Sequence, residues 1–301
     1  MVSQIGVLAR RVADVALGTR IINGVNEEPP LPLGDEHHVD VEKLRVAYYT
    51  DDGTLQVAPA VARAVRESAE ALRGSGAEVL EWSPPEIGEA LHLYFALLSG
   101  DGGMGVRRQL QRGEYDPRIK VLTRVAGFRR SMRGPLRRLL NATGQPTMAD
   151  FLSHFGYTSV DEHWQLVERQ MDSQRRFVEA LDRERIDAIL CPPCALPAYT
   201  HGASADLGQA GGYGLLYNLL GFPAGVVPFT RVGPDEEVGR SESRDKVEKA
   251  ALAVERGSAG LPVGVQVVGR PWREDVVLAL MGELESIVDD RPDRPDRPDL
   301  T

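Results

Sequence analysis

The stretch that decides the fold class is residues 44–82, LRVAYYTDDGTLQVAPAVARAVRESAEALRGSGAEVLEW. It opens on Leu44–Tyr49, whose β-branched and aromatic residues favour a strand. Pro59 is typical of a helix start, and apolar residues follow it at helical spacing at positions 61, 65, 69 and 72. A second strand is predicted over Ala77–Trp82. Two neighbouring strands joined through a helix form a β-α-β unit, which predicts a parallel pair.

Strands and helices continue to alternate along the chain, which is typical of an α/β core. Further strands are predicted over 186–190, 224–229 and 261–268, and helices over 5–22, 87–98, 163–185, 211–220 and 274–288. In the long helix 163–185 the residues expected to face the core are Trp164, Val167, Met171, Val178 and Leu181. Residues 233–259 are charged and flanked by glycine, which predicts a surface insertion. The Arg-Pro-Asp repeats within 290–301 predict a disordered tail.

Composition and charge exclude several classes of protein. The 301 residues include 35 basic and 44 acidic side chains, and the net charge of −9 argues against a uniformly basic nucleic-acid binder. No stretch reaches the roughly 18 to 20 apolar residues that a membrane-spanning helix needs. Two cysteines cannot build a disulfide framework, so a cytoplasmic protein is expected. Only four residues are lysines, at positions 43, 120, 246 and 249.

Local motifs offer little chemistry of their own. Cys191 and Cys194 form a C-x-x-C pair without the further ligands of a zinc site, which favours incidental thiols at a buried strand end over a redox pair. The string around Ser258 lacks the first glycine of a nucleophile elbow. The six histidines show no metal-binding spacing, and neither a metal nor a cofactor is predicted. The glycine-rich Ser99–Gly103 predicts either a tight turn or a close backbone approach to a ligand.

A basic segment stands out against the acidic background. Between Asp116 and Asp150 there are eight basic residues and no acidic one, interleaved with apolar residues at spacings of mostly three or four. Gly134-Pro135 is expected to divide the run into two short helices. Such helices can lie on an anionic membrane surface, and an ordinary surface helix is the open alternative. The predicted membrane-contact residues are Arg124, Phe128, Arg129, Arg130, Met132, Arg133 and Leu136.

Three blocks of sequence resemble the amidase signature family. Residues 211–228, GGYGLLYNLLGFPAGVVP, and residues 260–269, GLPVGVQVVG, resemble two blocks near the end of that family. Residues 5–14, IGVLARRVAD, look like an earlier family helix, with Val7 where proline is usual. Asp101-Gly102-Gly103 and the block 221–228 are most similar to the fatty acid amide hydrolase branch. The resemblance implies the C-terminal portion of the amidase signature fold over residues 1–289, a twisted mixed sheet flanked by helices.

The chain departs from the family in its chemistry. Family members use a lysine, a bridging serine and a nucleophilic serine within a Gly/Ser-rich block, where backbone amides also hold the oxyanion. This sequence has no lysine before Lys43 and no such block. No catalytic residue is therefore assigned, and the chain is expected to lack the catalytic N-terminal half and to be inactive alone.

The resemblance implies that this chain carries residues of the family's substrate-binding channel. The residues it implies for substrate binding are Leu97, Leu98, Asp101, Gly102, Gly103, Val226, Val227 and Trp272. Ordinary core packing of the apolar members is the open alternative. The expected function is hydrolysis of fatty acid amides or other lipophilic amides, carried by the complete enzyme.

Two readings from other classes stay open, a non-catalytic binder of lipid or small molecules and a membrane-associated interaction protein. The expected partners are a lipophilic amide or fatty acid ligand and, as alternatives, an anionic membrane surface and a second copy of the chain. Nucleic acid is not among them. Peripheral association with a membrane would modify the cytoplasmic location.

Overall fold

A computed structural model describes residues 5–23, 33–110, 127 and 130–289. Its centre is one five-stranded mixed sheet, made of β1 (Arg45–Tyr48), β2 (Glu78–Glu81), β3 (Ala188–Cys191), β4 (Ala224–Arg231) and β5 (Pro262–Gly269). The strand order is β2-β1-β3-β5-β4. The pairs β1–β2 and β1–β3 are parallel, whereas β5 runs antiparallel to both β3 and β4. The predicted mixed sheet is confirmed.

The helices of the described part flank this sheet. They are α1 (Val12–Asn23), α2 (Pro59–Gly74), α3 (Ile87–Ser99), α4 (Met104–Leu110), α5 (Arg130–Ala142), α6 (Pro146–Ser153), α7 (Val160–Glu184), α8 (Gly212–Leu220), α9 (Lys246–Glu255) and α10 (Glu274–Asp289).

The β-α-β unit of residues 44–82 forms as predicted. α2 begins at Pro59 and buries Val61, Val65, Ala69 and Leu72 on its core-facing side. Ala47 in β1 pairs with Leu80 in the parallel β2. The local pattern suffices here because the apolar residues of α2 occupy one face only.

Three of the predicted helices differ from those in the structure. α1 begins at Val12 rather than at Ile5, whose side chain is exposed. α5 continues through Pro135 instead of breaking at Gly134-Pro135. A proline in a helix removes one hydrogen bond to the carbonyl four residues earlier, and this helix forms with that bond missing.

The third difference concerns the buried face of α7. Trp164 and Met171 are 63% and 65% exposed, so their predicted place in the core is wrong. The buried residues are instead Leu166, Ser173, Phe177 and Leu181. Phe177 contacts the rings of Trp82 and Phe222 edge-on. The prediction is confirmed at Leu181, which is buried, and at Val178, which packs against the core.

The segment 233–259 also differs from the exposed insertion that its charge pattern predicts. Within it α9 packs Val247, Ala251 and Val254 into the hydrophobic core. Arg240 lies buried beside Glu255, which is buried as well. The charged residues of this segment thus include an internal ion pair. The predicted tail, 290–301, lies outside the described residues.

Candidate functional site

A pocket of about 390 Å³ opens between α3, α6, the start of α8 and the loop that follows β1. Its size lies at the lower end of the range for small-molecule sites. The residues that line it are Thr54, Gly88, Leu91, Phe95, Thr147, Asp150, Phe151, His154, Gln209 and Gly212.

The apolar wall comes from two helices. α3 presents Leu91 and Phe95 together because residues four apart share one face of a helix. The ring centroid of Phe95 lies 5.0 Å from that of Phe151 and 4.9 Å from that of Phe155. Gly208 packs so closely on the Phe151 ring that an added Cβ would lie 2.7 Å from it. The wall can accommodate an aliphatic or aromatic group.

One polar residue of the pocket lining, His154, is paired with a second histidine, His92. Nδ1 of His92, on α3, lies 3.0 Å from Nδ1 of His154, directly after α6. On the other side of the His154 ring, Nε2 lies 3.6 Å from a carboxylate oxygen of Asp150. Burial lowers the pKa of both imidazoles below their ordinary value. Neutral imidazoles at pH 7 each offer one donor and one acceptor.

The Asp52 carboxyl group lies next to two residues of the pocket lining, Thr54 and Gly212. One of its oxygens accepts hydrogen bonds from the backbone and the hydroxyl of Thr54. The other oxygen is buried and has no hydrogen-bond partner among the described residues. An added Cβ at Gly212 would lie 3.1 Å from that oxygen. Burial, the largest influence, raises the pKa of Asp52 above its ordinary value.

A buried polar network lies deeper, between the strands and α8. The hydroxyl groups of Tyr49 and Tyr217 lie 3.1 Å apart, and Gln266 donates to the Cys191 sulfur at 3.2 Å. Burial raises the pKa of the Cys191 thiol to about 12. Cys191 ends β3 as a buried free thiol, in agreement with the predicted strand end, whereas Cys194 contacts the Tyr199 hydroxyl. A thiol with so high a pKa is a poor nucleophile at neutral pH.

The predicted substrate residues at the end of α3 form a turn. The Asp101 carboxylate accepts from the backbone N–H groups of Gly103 and Gly105, both at 2.7 Å. Gly102 and Gly103 have φ of 65° and 75°, a conformation that favours glycine. Leu97 is partly buried against the core, and Leu98 is 54% exposed. The tight turn predicted for Ser99–Gly103 is confirmed.

The other predicted substrate residues lie on different elements. Val226 is half exposed on β4, Val227 beside it is buried, and Trp272 is exposed in the loop before α10. None of the eight predicted substrate residues belongs to the pocket lining given above. Their role in substrate binding therefore stays a prediction. The His92–His154 pair could not be predicted from the sequence, because its members lie 62 positions apart and no motif joins them.

The predicted membrane-contact residues fall on and before α5. Arg124, Phe128 and Arg129 lie outside the described residues, and Arg130 is the first residue of α5. Met132 is half exposed, whereas Arg133 and Leu136 are partly buried. Within the described ranges no helix has the length and apolar character to cross a membrane.

One group of potential metal ligands lies away from the pocket. Among the residues that the structure describes, Asp35, Glu36 and His37 place ligand atoms within 4.8 Å of one another. The His37 ring is exposed, and Arg20 pairs with both carboxylates. This arrangement is that of a surface ion-pair cluster.

Comparison with known proteins identifies the family that this chain matches and the proteins to which it is similar. Residues 1–278 match the Amidase family. The chain is similar to "Fatty acid amide hydrolase 1" of Caenorhabditis elegans, with 30% identity over 273 residues that cover 86% of this chain and 46% of that protein. It is 31% identical to "Fatty-acid amide hydrolase 1" of Sus scrofa over 300 residues, which cover 94% of this chain and 51% of that protein.

Solved structures agree on the fold. A structure named "Fatty acid amide hydrolase" superposes with a TM-score of 0.69 and 21% identity, covering 92% of this chain and 47% of that one. "6-aminohexanoate cyclic dimer hydrolase" superposes with a TM-score of 0.61 and 16% identity, covering 93% of this chain and 53% of that one. The chain spans about half the length of the curated relatives it matches.

Proposed function

Because the chain belongs to the amidase family, we propose that it forms the substrate-binding part of a hydrolase that cleaves carbon–nitrogen amide bonds. The observation that carries this proposal is the family match over residues 1–278. The substrates we propose are fatty acid amides or other lipophilic amides. Two relatives at 30% and 31% identity are named as fatty acid amide hydrolases, which supports that class.

The pocket chemistry is compatible with an uncharged amide. Leu91, Phe95 and Phe151 offer apolar surface for a lipophilic group. Gln209 lines the same pocket, and its side-chain amide is a group that can both donate to and accept from the amide of a substrate. The part we assign to these residues is to bind and orient the substrate and to keep water from its apolar portion.

We further propose that this chain alone does not hydrolyse amides. Its four lysines lie at positions 43, 120, 246 and 249, and it contains no Gly/Ser-rich block of the kind that holds the family's nucleophile. A serine needs a neighbouring base to attack an amide carbonyl. The buried Cys191 thiol does not substitute for it, because its pKa of about 12 leaves it protonated at neutral pH.

Binding and turnover can be measured separately on the purified chain. Oleamide is the probe, with ammonia release as the measure of turnover and calorimetry as the measure of binding. We expect saturable binding without ammonia release above that of buffer. Turnover by the chain alone would contradict its proposed inactivity, and absence of saturable binding would contradict the substrate-binding role.

A pocket-filling variant tests where the amide binds. Gly88 lines the pocket, and a Cβ added there meets no atom within 4 Å, so Gly88→Leu projects into the free space and replaces a poor helix former. Gly282→Leu is the matched control, since Gly282 is also helical with no atom near the added Cβ. We expect Gly88→Leu to weaken oleamide binding by about tenfold or more, a loss of about 1.4 kcal/mol. Equal affinities for both variants would place the amide elsewhere.

A further inference from the structure

The contact between His92 and His154 joins two helices through a single shared proton position. Their Nδ1 atoms lie 3.0 Å apart, so one ring must donate and the other must accept. An imidazolium carries N–H groups at both nitrogens and no acceptor. Two protonated rings would therefore direct two N–H groups at each other, and the contact can exist only while at least one imidazole is neutral.

Charged groups from every helix around the pair act on it. Asp150, on α6, lies beside His154 Nε2, and Glu89, on α3, acts on His92. Arg133 of α5 acts on both rings, Arg137 of α5 on His154 and Arg169 of α7 on His92. Arg169 is itself paired with Glu89. Burial outweighs the carboxylates, and the pKa of both rings is lowered, so the pair is neutral at pH 7.

The pair holds one end of a pocket wall. His154 follows α6 directly, lines the pocket and lies parallel to the Phe95 ring, with 6.4 Å between ring centroids. The other end of α6 is held at Thr147, whose N–H donates to Asp245 at 2.9 Å. Beyond the pair, Gly156 N–H donates to the Ser99 hydroxyl at 3.0 Å. These two anchors confine any movement to the span between Thr147 and Gly156.

From this arrangement we propose that the His92–His154 pair is an acid-sensitive clasp. At neutral pH it holds the last turn of α6 against α3 and closes the pocket wall. When both rings carry a proton, like charge and opposed N–H groups separate them, and the last turn of α6 moves away from α3. The clasp requires no catalytic activity, so it can be tested whether or not the chain binds an amide.

The first test is the titration of the imidazoles of the complete chain by NMR. The pair is expected to titrate in two steps separated by at least one pH unit, because the proton on the first ring disfavours protonation of the second. No variant is needed for this measurement. Two rings that titrate together in a single step would overturn the proposal.

The second test follows hydrogen exchange of residues 146–156 by mass spectrometry. His92→Gln removes one titrating ring while keeping an amide that can hydrogen bond to His154 Nδ1, and His201→Gln is the matched control. At pH 5.5, relative to pH 7.5 and corrected for intrinsic exchange, we expect this peptide to lose about tenfold of its protection in wild type and in His201→Gln. His92→Gln is expected to keep its protection. An equal loss in all three proteins would overturn the clasp.

Discussion

The ion pair between Arg240 and Glu255 should be one of the strongest single determinants of stability in this chain. Both side chains are 1% exposed, and Arg240 Nε donates to Glu255 at 2.9 Å. The remaining guanidinium nitrogens donate to Glu248 at 2.7 Å and to the Gln56 carbonyl at 2.6 Å. The pair therefore ties the segment before α9 to the loop after β1, which also carries Asp52 and Thr54 of the candidate site.

The perturbation we choose is Arg240→Met, which keeps an unbranched apolar side chain but removes the guanidinium and its charge. Glu255 would then be a buried carboxylate whose remaining hydrogen bond comes from the Gly239 N–H at 3.1 Å. Removing one partner of a buried ion pair costs about 3–5 kcal/mol. That is a large part of a total unfolding free energy of about 5–15 kcal/mol. Replacing both partners, in Arg240→Met/Glu255→Leu, should restore stability to within about 1 kcal/mol of wild type.

The assay is urea unfolding followed by circular dichroism, in which a change of stability moves the midpoint without changing the slope. Arg256→Ala is the matched control, because Arg256 pairs with Glu242 at 3.5 Å while both side chains are largely exposed. The control should lose about 1 kcal/mol or less. The reasoning would be refuted if Arg240→Met lost no more than Arg256→Ala, or if the double variant were as unstable as the single one.

Two further predictions concern acid and thiol chemistry. Arg63 donates to both Glu236 oxygens, at 2.7 and 2.8 Å, and holds the pKa of that carboxyl below its ordinary value of 4.5. The contribution of the ionised Glu236 to stability is therefore present above pH 4.5 and is lost as the pH falls through the lowered pKa. Glu236→Gln should therefore reduce the free energy of unfolding by about 1 kcal/mol at pH 7 and by far less at pH 3, whereas the exposed neighbour Asp235→Asn should change little at either pH. For the thiols, burial raises the pKa of Cys191 to about 12 and that of Cys194 above its ordinary value. DTNB at pH 8 should therefore react slowly with the folded chain, and after unfolding it should react rapidly with both thiols. Fast reaction of Cys191 in the folded chain would show that its surroundings are less closed than the structure indicates.

Most of the fold could be predicted from the sequence, because in most helices and strands the apolar residues leave only one face that can be buried. α2 has a single apolar face, and β5 is a nearly continuous apolar strand, so both were predicted close to their final bounds. α7 was harder, since its apolar residues lie on more than one side of the helix, and Trp164 is exposed whereas Phe177 is buried. Periodicity alone cannot decide which of these residues is buried, because Phe177 packs against Trp82 and Phe222 from other parts of the chain.

The candidate site was much less accessible. The family blocks identify which strands and helices contribute, but the pocket joins Phe95, Phe151 and Gly212 from three helices that are distant in sequence. The charge pattern of 233–259 wrongly indicated a surface insertion throughout, because the buried partners Arg240 and Glu255 cannot be told from an exposed arginine and glutamate in the sequence. When a buried arginine and a buried glutamate compensate each other's charge, the sequence around each of them does not show that they are buried.

The sequence by itself determined the α/β class, the β-α-β unit and the family. These rest on local periodicity and on short blocks of fixed spacing, which need no knowledge of distant contacts. Only the tertiary structure decided which apolar residues of α7 are buried, that Arg240 lies inside the protein, and that His92 contacts His154. Each of these depends on the distance between residues far apart in the chain, and both burial energy and proton affinity change with the neighbours that such distances bring together.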